Sequence, residues 1–340
     1  MRVSVVATVY NEGASIRTLM DSLLEQTRQP DETIICDGGS RDDTVAILRE
    51  YRGKLPELQI LCEDGANISQ GRNRAISEAS GPIIATTDAG VRLDRQWLEK
   101  LVAPLGAGED AQNGQVEAVA GFFLADVSGP FQQAMGATVL PRAEEIDPVR
   151  FLPSSRSMAF FKKVWERVGG YPEWLDYCED LVFDLRIKET AKEKETVFAW
   201  APQAVVFFRP RTGLKSFWQQ YFRYARGDGK ADLWRLRHAI RYATYLLLVP
   251  ALLGHALWGQ EAQWLGWLGL CFGGIVSCSR PWRRLLLLSK GTPFMERLQS
   301  IFLVPLIRLV GDAAKIAGYP FGVVWRWRNF HRAEVHWRDG

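Results

Sequence analysis

Asp37, Asp88, Glu179 and Asp180 are the positions where this sequence has the residue types and the placement to do chemistry. Thr86-Thr87-Asp88-Ala89-Gly90 closes a short β-branched run, 83–87, that follows a Gly81-Pro82 turn signal and reads as a buried strand. Asp37 ends a second such run, 32–36, and Gly38-Gly39-Ser40 follows it. Glu179-Asp180 opens a helical pattern carrying Leu181, Phe183, Leu185 and Ile187. In an open α/β sheet, ligands bind in the crevice outside the carboxyl ends of the strands. A carboxylate delivered there can orient a ribose or bind a hard cation that neutralises phosphate oxygens. For Asp88 the plain alternative is a cap on the next turn or on the helix near 95–101, a role that Asp94 is also placed to fill.

The elements that must position these groups alternate. Residues 3–9 read as a buried strand, Asn11-Glu12-Gly13 as a turn, and Ser15 as the opening of an amphipathic helix with Ile16, Leu19, Met20 and Leu23 at helical spacing. A helix over 44–52, a strand over 58–62 and a helix over 68–79 follow, the pattern of a parallel sheet covered on both faces. Residues 104–115 read as a loop, 116–124 as an apolar run, and 126–157 as an irregular stretch over the pocket. A strand at 157–161, a short helix at 163–168 and late strands at 197–200 and 204–208 complete this part.

At 340 residues the chain exceeds the usual single domain, so a second unit is expected. A net charge of +3 is too small to mark a nucleic-acid binder, and none is expected as a partner. The basic residues gather in 209–241, which suits an anionic membrane surface or a phosphate-bearing ligand as well as it suits RNA. Cys36, Cys62, Cys178, Cys271 and Cys278 are odd in number and lack metal-ligand spacing, which reads as reduced thiols in a cytosolic compartment. His238 and His255 read as structural for the same want of spacing. The run 3–9 has neither a basic n-region nor a long apolar h-region, so no cleaved secretory signal is expected.

After Asp232 the composition changes. Residues 240–258 are apolar apart from Arg241 and His255, long enough to span a hydrocarbon core of roughly 30 Å; 264–279 is uncharged and marginal in length. Arg235, Arg237 and Arg241 precede the first stretch, Arg280, Arg283 and Arg284 follow the second, and the link between them has no basic residue. That asymmetry predicts a membrane hairpin, about 240–258 and 262–279, with both ends cytoplasmic. Over about 285–330 a third span and a pair of interfacial helices are equal alternatives, because Arg308, Asp312 and Lys315 interrupt the apolar run. A buried helical subdomain is the remaining reading, against which the wealth of Trp, Leu and Gly argues.

Taken in order, these motifs resemble the family 2 glycosyltransferases of the GT-A fold, over roughly the first two thirds of the chain. Val5-Val6-Ala7-Thr8-Val9-Tyr10-Asn11-Glu12 is similar to the family's first strand and donor loop, which implies that Thr8, Tyr10 and Glu12 hold the base and ribose. Ile35-Cys36-Asp37-Gly38-Gly39-Ser40 is similar to the second strand, with Asp37 hydrogen-bonding the base. Gly71-Arg72-Asn73-Arg74 resembles the segment that approaches the nucleotide, and Thr87-Asp88-Ala89-Gly90 stands where the family carries Asp-x-Asp. Glu179-Asp180 resembles the Glu-Asp pair, which implies that Asp180 is the base and that Glu179 orients the helix start or binds the acceptor. Gln220-Tyr221-Phe222-Arg223-Tyr224 resembles Gln-x-x-Arg-Trp, with Tyr224 in place of Trp. Arg223 and Arg226, three apart on one helical face, would clamp a diphosphate or an anionic acceptor, or else face lipid headgroups. Trp218, Tyr221 and Tyr224 would stack on sugar or sit at a membrane interface. A dinucleotide-binding dehydrogenase is disfavoured by the lack of Gly-x-Gly-x-x-Gly after the first strand.

The resemblance implies an α/β GT-A catalytic domain over 1–230, a mixed sheet flanked by helices, followed by an α-helical membrane region over 231–340. It implies inverting transfer from a nucleotide-diphosphate sugar to a lipid-linked or glycan acceptor at the cytoplasmic face of the cell membrane. Gly90 replaces the second Asp of Asp-x-Asp, so Mg²⁺ or Mn²⁺ would rest on Asp88, the donor diphosphate and water. A catalytically silent membrane protein of the same fold, binding nucleotide sugar or glycan, is the alternative.

Overall fold

The computed structural model describes residues 1–106, 116–191, 198–289 and 291–338. Strand β1 (Val3–Val9) is almost wholly buried and pairs in parallel with β2 (Glu32–Asp37) on one side and β4 (Ile83–Asp88) on the other; β3 (Leu58–Cys62) lies outside β2. Three further strands, β6 (Ala118–Ala125), β7 (Met158–Phe161) and β8 (Phe198–Phe208), and the short β5 (Val91–Leu93) extend the sheet in the order β3-β2-β1-β4-β7-β6-β8-β5. The pairings β4–β7, β6–β7 and β5–β8 are antiparallel and β6–β8 is parallel, so the contiguous parallel sheet read from the alternation is β3, β2, β1 and β4. The whole is a mixed sheet.

Alternation along β1 sends its side chains to two cores. Val3, Val5, Ala7 and Val9 join α1 (Ile16–Leu24), α2 (Thr44–Glu50) and α4 (Trp97–Gly106) through Leu19, Leu23, Leu48, Trp97 and Leu101. Val6 joins α3 (Ile68–Glu78), α6 (Lys162–Arg167) and α7 (Glu179–Thr190) through Ile76, Val164, Phe183 and Ile187 on the opposite face. Both faces of the sheet are therefore dry, and the strand ends are left as the places where polar groups can gather. Asp94 lies in the turn that leads into α4, its Oδ1 accepting from the Gln96 amide at 3.0 Å and its carbonyl from the Trp97 amide at 2.9 Å.

Several expectations change. Residues 126–157, read as irregular, contain α5 (Gly129–Val139), whose Gly, Ala and Thr content masks its periodicity. The late strands 197–200 and 204–208 are one strand, β8, joined across an irregularity in its pairing with β6 near Gly121; Val197 itself lies outside the described residues. The loop expected over 104–115 begins later, because α4 continues through Pro104 to Gly106, and 107–115 are outside the described residues.

The chain forms two units, Met1–Asp126 with Ala143–Arg209, and Val127–Arg142 with Pro210–Gly340. The second contains α5, α8 (Leu214–Lys230), α9 (Arg235–Tyr242), a π-helical turn (Ala243–Leu248), α10 (Val249–Trp258), α11 (Gln263–Leu288) and α12 (Phe294–Arg328). α8, grouped with the catalytic domain in the sequence reading up to 230, belongs here. Its backbone nearly touches α12: a Cβ on Gly318 would stand 2.2 Å from the Phe222 carbonyl oxygen and one on Gly322 2.1 Å from that of Arg226. Only glycine permits that approach.

α12 is a single 35-residue helix where a third span or a helix pair was expected. It buries Asp312, which accepts from Arg241 Nε at 2.9 Å and Tyr245 Oη at 2.9 Å and lies 3.5 Å from Arg308 Nε. Among the described residues one helical stretch, Arg235–Trp258, is long and apolar enough to cross a membrane, with a mean hydropathy of 1.3 and only 6% of its apolar window buried. Leu246, Leu247, Leu248 and Trp258 on it are exposed, as are Trp264, Trp267 and Phe272 on α11.

Candidate active site

In the first unit the register of three parallel strands does the assembling. Thr8 lies opposite Asp88 and Val9 opposite Asp37, so the two carboxylates end adjacent strands on either side of β1. β1 is also where the strand order reverses direction in sequence, which is where open α/β sheets leave a crevice. The loops beyond are tied together: the Asn11 amide donates to Ser40 Oγ (2.8 Å), the Arg41 amide to Asn11 Oδ1 (2.9 Å) and the Glu12 amide to Thr44 Oγ1 (2.8 Å). They frame a cleft of about 530 Å³ lined by Tyr10, Gly38, Gly39, Ser40, Arg41 and Asp64 among others. Tyr10 is 57% exposed, a large ring left in water beside a polar cleft.

Asp37 is buried beside this cleft. Its Oδ2 accepts from the amides of Gly39 (3.0 Å) and Ser40 (2.8 Å), while Oδ1 has no hydrogen-bond partner among the described residues. A buried acceptor left open is costly unless a ligand donates to it. Thr8 is half-buried at the end of β1, and the Glu12 carboxylate accepts from Ser15 Oγ at the start of α1.

A second cluster adjoins Asp88. Arg72, on the buried side of α3 and only 1% exposed, donates from one terminal nitrogen to Asp88 Oδ1 and from the other to Glu179 Oε1, each at 3.2 Å, and lies over the Tyr171 ring at 4.8 Å. Asp88 Oδ2 is 3.5 Å from Arg156 Nε. Residues distant in sequence, at the end of β4, inside α3, at the start of α7 and in a turn, thus share one charge network. Cys178, immediately before Glu179, adopts φ +67°, a left-handed conformation that turns the chain into α7. Asp180 follows in the first turn of α7, half-buried, and its Oδ1 accepts from the Leu181 amide at 2.9 Å.

Carboxylates outnumber guanidinium groups here. Burial, and then the charge of Asp180, hold the Glu179 carboxyl above its ordinary range against the pull of Arg72. Burial likewise raises Asp180, with Arg72 and Arg156 opposing it. One turn along α7, Asp184 is fully buried with neither oxygen hydrogen-bonded among the described residues, and burial followed by Asp180 raises it furthest above the carboxylate range. A half-buried carboxylate with a raised pKa at the edge of a charge network is suited to take a proton.

Residues 4–166 match the family description Glycosyl transferase family 2. Glycosyltransferase AglE of Haloferax volcanii is 36% identical over 256 residues, which cover 74% of this chain and 80% of that protein. The chain belongs to glycosyl transferase family 2. O-antigen chain rhamnosyltransferase RfbN of Salmonella typhimurium is 24% identical over 236 residues, 65% of this chain and 71% of that protein. Mannosyltransferase PcManGT from Pyrobaculum calidifontis, solved with GDP-Man and Mn²⁺, has the same fold at a TM-score of 0.50 and 18% identity, over 93% of this chain and 87% of that one. The protein is a glycosyltransferase, an enzyme that moves a sugar from a nucleotide-sugar donor in glycan synthesis.

In this glycosyltransferase the residues around Asp88 do not fit a resident divalent cation. Each oxygen of Asp88 faces a guanidinium, Gly90 supplies no ligand, and the described residues contain no group of three or more His, Cys, Asp or Glu placed to hold a metal. Gln220, Arg223 and Arg226 belong to the second unit, on α8. There Gln220 Nε2 donates to Tyr224 Oη at 2.8 Å, Arg223 is exposed and Arg226 half-buried. The sequence reading gave no site role to Arg156, Tyr171, Cys178 or Asp184. Asp184 carried a usable signal, an acidic residue four positions after Asp180 on the same helical face; Arg156, in a stretch without periodicity, carried none.

Proposed function

We propose that this glycosyltransferase inverts the anomeric centre of a nucleotide-diphosphate sugar held at the carboxyl ends of β1, β2 and β4, with Asp180 as the general base. The observation that carries the reading is Arg72, which links Asp88 to Glu179 and so brings the donor-side carboxylate and the helix bearing Asp180 into one network. Tyr10 and Asp37 would take the base, Thr8 and Glu12 the ribose side, and Asp88 the sugar or diphosphate. Asp180 would accept the proton of the acceptor hydroxyl as its oxygen attacks the anomeric carbon from the face opposite the leaving group. Gln220, Arg223 and Arg226, on α8 of the second unit, would meet an anionic acceptor.

The exposed apolar surfaces of Arg235–Trp258 and of α11 support a membrane hairpin with both ends cytoplasmic, and so a lipid-linked or glycan acceptor at the inner face of the cell membrane. The similarity to an O-antigen chain rhamnosyltransferase favours a glycan acceptor. The test is transfer by purified protein in lipid from a panel of uridine, guanosine and thymidine diphosphate sugars, beside Asp180→Asn. Loss of turnover with donor binding retained supports the assignment; a variant as active as the natural chain overturns it.

A further inference from the structure

Asp88 sits between two guanidinium groups, and one of them is held in an unusual way. The Arg156 guanidinium lies over two aromatic rings, Phe208 at 4.6 Å and Phe123 at 5.2 Å, with its side chain 18% exposed and its Nε 3.5 Å from Asp88 Oδ2. Rings supplied by β6 and β8 hold the planar cation in one orientation, so little rotational freedom remains to be lost on binding an anion. At Gly90 a Cβ would meet nothing within 4 Å among the described residues, and the backbone there is not left-handed. Space therefore does not forbid a carboxylate at that position; the sequence lacks one where the structure would admit it.

We infer that Arg156 supplies the positive charge facing the leaving diphosphate, in the place where a second carboxylate would otherwise hold a divalent cation, so that donor binding by this chain is independent of metal. The inference rests on the donor-site reading above. In the transfer the acceptor oxygen forms a bond to the anomeric carbon, the bond from that carbon to the β-phosphate oxygen breaks, and its electron pair stays on the phosphate. The hydroxyl proton goes to Asp180, and the nucleoside diphosphate leaves with one more negative charge. Arg156 is a fixed cation, partly exposed beside Asp88, and a fixed donor needs no reorganisation at the moment of reaction, while Arg72, buried behind Asp88, adds its charge without touching the ligand. A dication placed on Asp88 would face both of them at close range. On this reading Asp88 meets the sugar of the donor and not its diphosphate, and it also aims the two guanidinium groups by accepting from one and pairing with the other.

The test is calorimetric titration of the full chain in detergent with UDP, GDP and dTDP, in EDTA and again with Mn²⁺. At least one diphosphate is expected to bind with the same affinity, within about threefold, in both. Arg156→Ala should weaken that binding roughly 10- to 100-fold, the loss of one charge-assisted contact, with Arg156→Lys recovering part of it and Arg150→Ala, on the surface, unchanged. Gly90→Asp should acquire a tightening by Mn²⁺ that the natural chain lacks. Binding that appears only with Mn²⁺ in the natural chain overturns the inference and leaves the donor site standing, as does full affinity in Arg156→Ala. Absence of binding by any diphosphate in either condition removes the donor site and the inference with it. Should Arg156→Ala fail to fold, judged by its melting without ligand, the EDTA titration of the natural chain and the Gly90→Asp arm decide.

Discussion

Two clusters of buried charge, one in each unit, are built from the same residue types and balanced in opposite ways. In the second unit Asp312 is saturated: Arg241 and Tyr245 donate to it and Arg308 lies beside it, so one carboxylate has three polar neighbours. In the first unit Arg72 and Arg156 serve Asp88, Glu179 and Asp180 together, while among the described residues Asp184 and one oxygen of Asp37 have no hydrogen-bond partner. A satisfied cluster fixes a packing arrangement. An unsatisfied one stores unfavourable interactions that substrate can relieve, which is how carboxylate pKa values come to be raised at a reacting centre.

The comparison can be broken at its most consequential residue. Asp180→Asn keeps shape and burial and removes the proton acceptor, so transfer is expected to fall about 10²- to 10⁴-fold, with the affinity for nucleoside diphosphate within a few-fold of the natural chain. Initial rates and titration on the same preparation check both halves. Asp312→Asn should leave turnover per folded molecule unchanged.

Next in size is the asymmetry between the arginines. Arg72→Met strands Asp88 and Glu179 inside the first unit and is expected to cost about 3–5 kcal/mol of stability. Asp312→Asn retains an acceptor for Tyr245 and should cost about 1–3 kcal/mol, chiefly from the weakened contact with Arg241. Urea melts of the two variants, followed by the fluorescence of the tryptophans, order the effects. Equal losses would mean that the first cluster is no less satisfied than the second.

A third difference is in pH. Burial raises the folded-state pKa of Asp184 above its value in the unfolded chain, so the folded state holds the proton more tightly. Its contribution to stability is then greatest at low pH and declines as pH rises from about 4, the unfolded value, through the folded one, with a slope of up to about 1.4 kcal/mol per pH unit for one proton. Asp184→Asn should flatten that decline, seen as a melting temperature that falls less between acid and neutral pH. Asp180 has the same sign of shift, so the acid limb of the rate profile is expected above the ordinary carboxylate range. An acid limb near the pKa of a free aspartate would leave Asp180 without the role assigned to it.

How much of this was readable in the sequence follows from where each group lies. Asp37 and Asp88 close apolar runs and Glu179-Asp180 open a helical one, so pattern alone put them at strand ends and a helix start, where they are. Arg72 was named from a motif, but its burial between two carboxylates depends on Glu179, 107 positions away. Arg156 was out of reach for the same reason in a stronger form: its neighbours Asp88, Phe123 and Phe208 come from three strands or their ends, and nothing local distinguishes it from a solvated arginine. α5 and α8 show the limit at the level of the fold. The stretch that holds α5 was read as irregular and α8 was grouped by position in the chain, whereas membership of a unit is decided by which helix offers a complementary face, and for α8 that is the glycine-lined side of α12.

The smallest effect concerns backbone. Cys178 before α7 and Ala262 before α11 share the left-handed conformation, at φ +67° and +52°, which costs a residue with a Cβ roughly 1–2 kcal/mol. Glycine removes that cost and adds about 0.5–1 kcal/mol of unfolded-state entropy in exchange, so Cys178→Gly and Ala262→Gly should each change stability by less than about 1 kcal/mol. Their effects on turnover should differ. Cys178 sets the direction in which Glu179 and Asp180 leave the turn, and a glycine there admits other directions, which lowers kcat several-fold with KM for donor unchanged. Ala262 aims no reacting group, so its variant keeps the natural kcat. Equal rates in both variants would show that the turn at Cys178 is held by the Glu179–Arg72 pair from the far side, and the conformation at 178 would then be a consequence of the charge network instead of one of its supports.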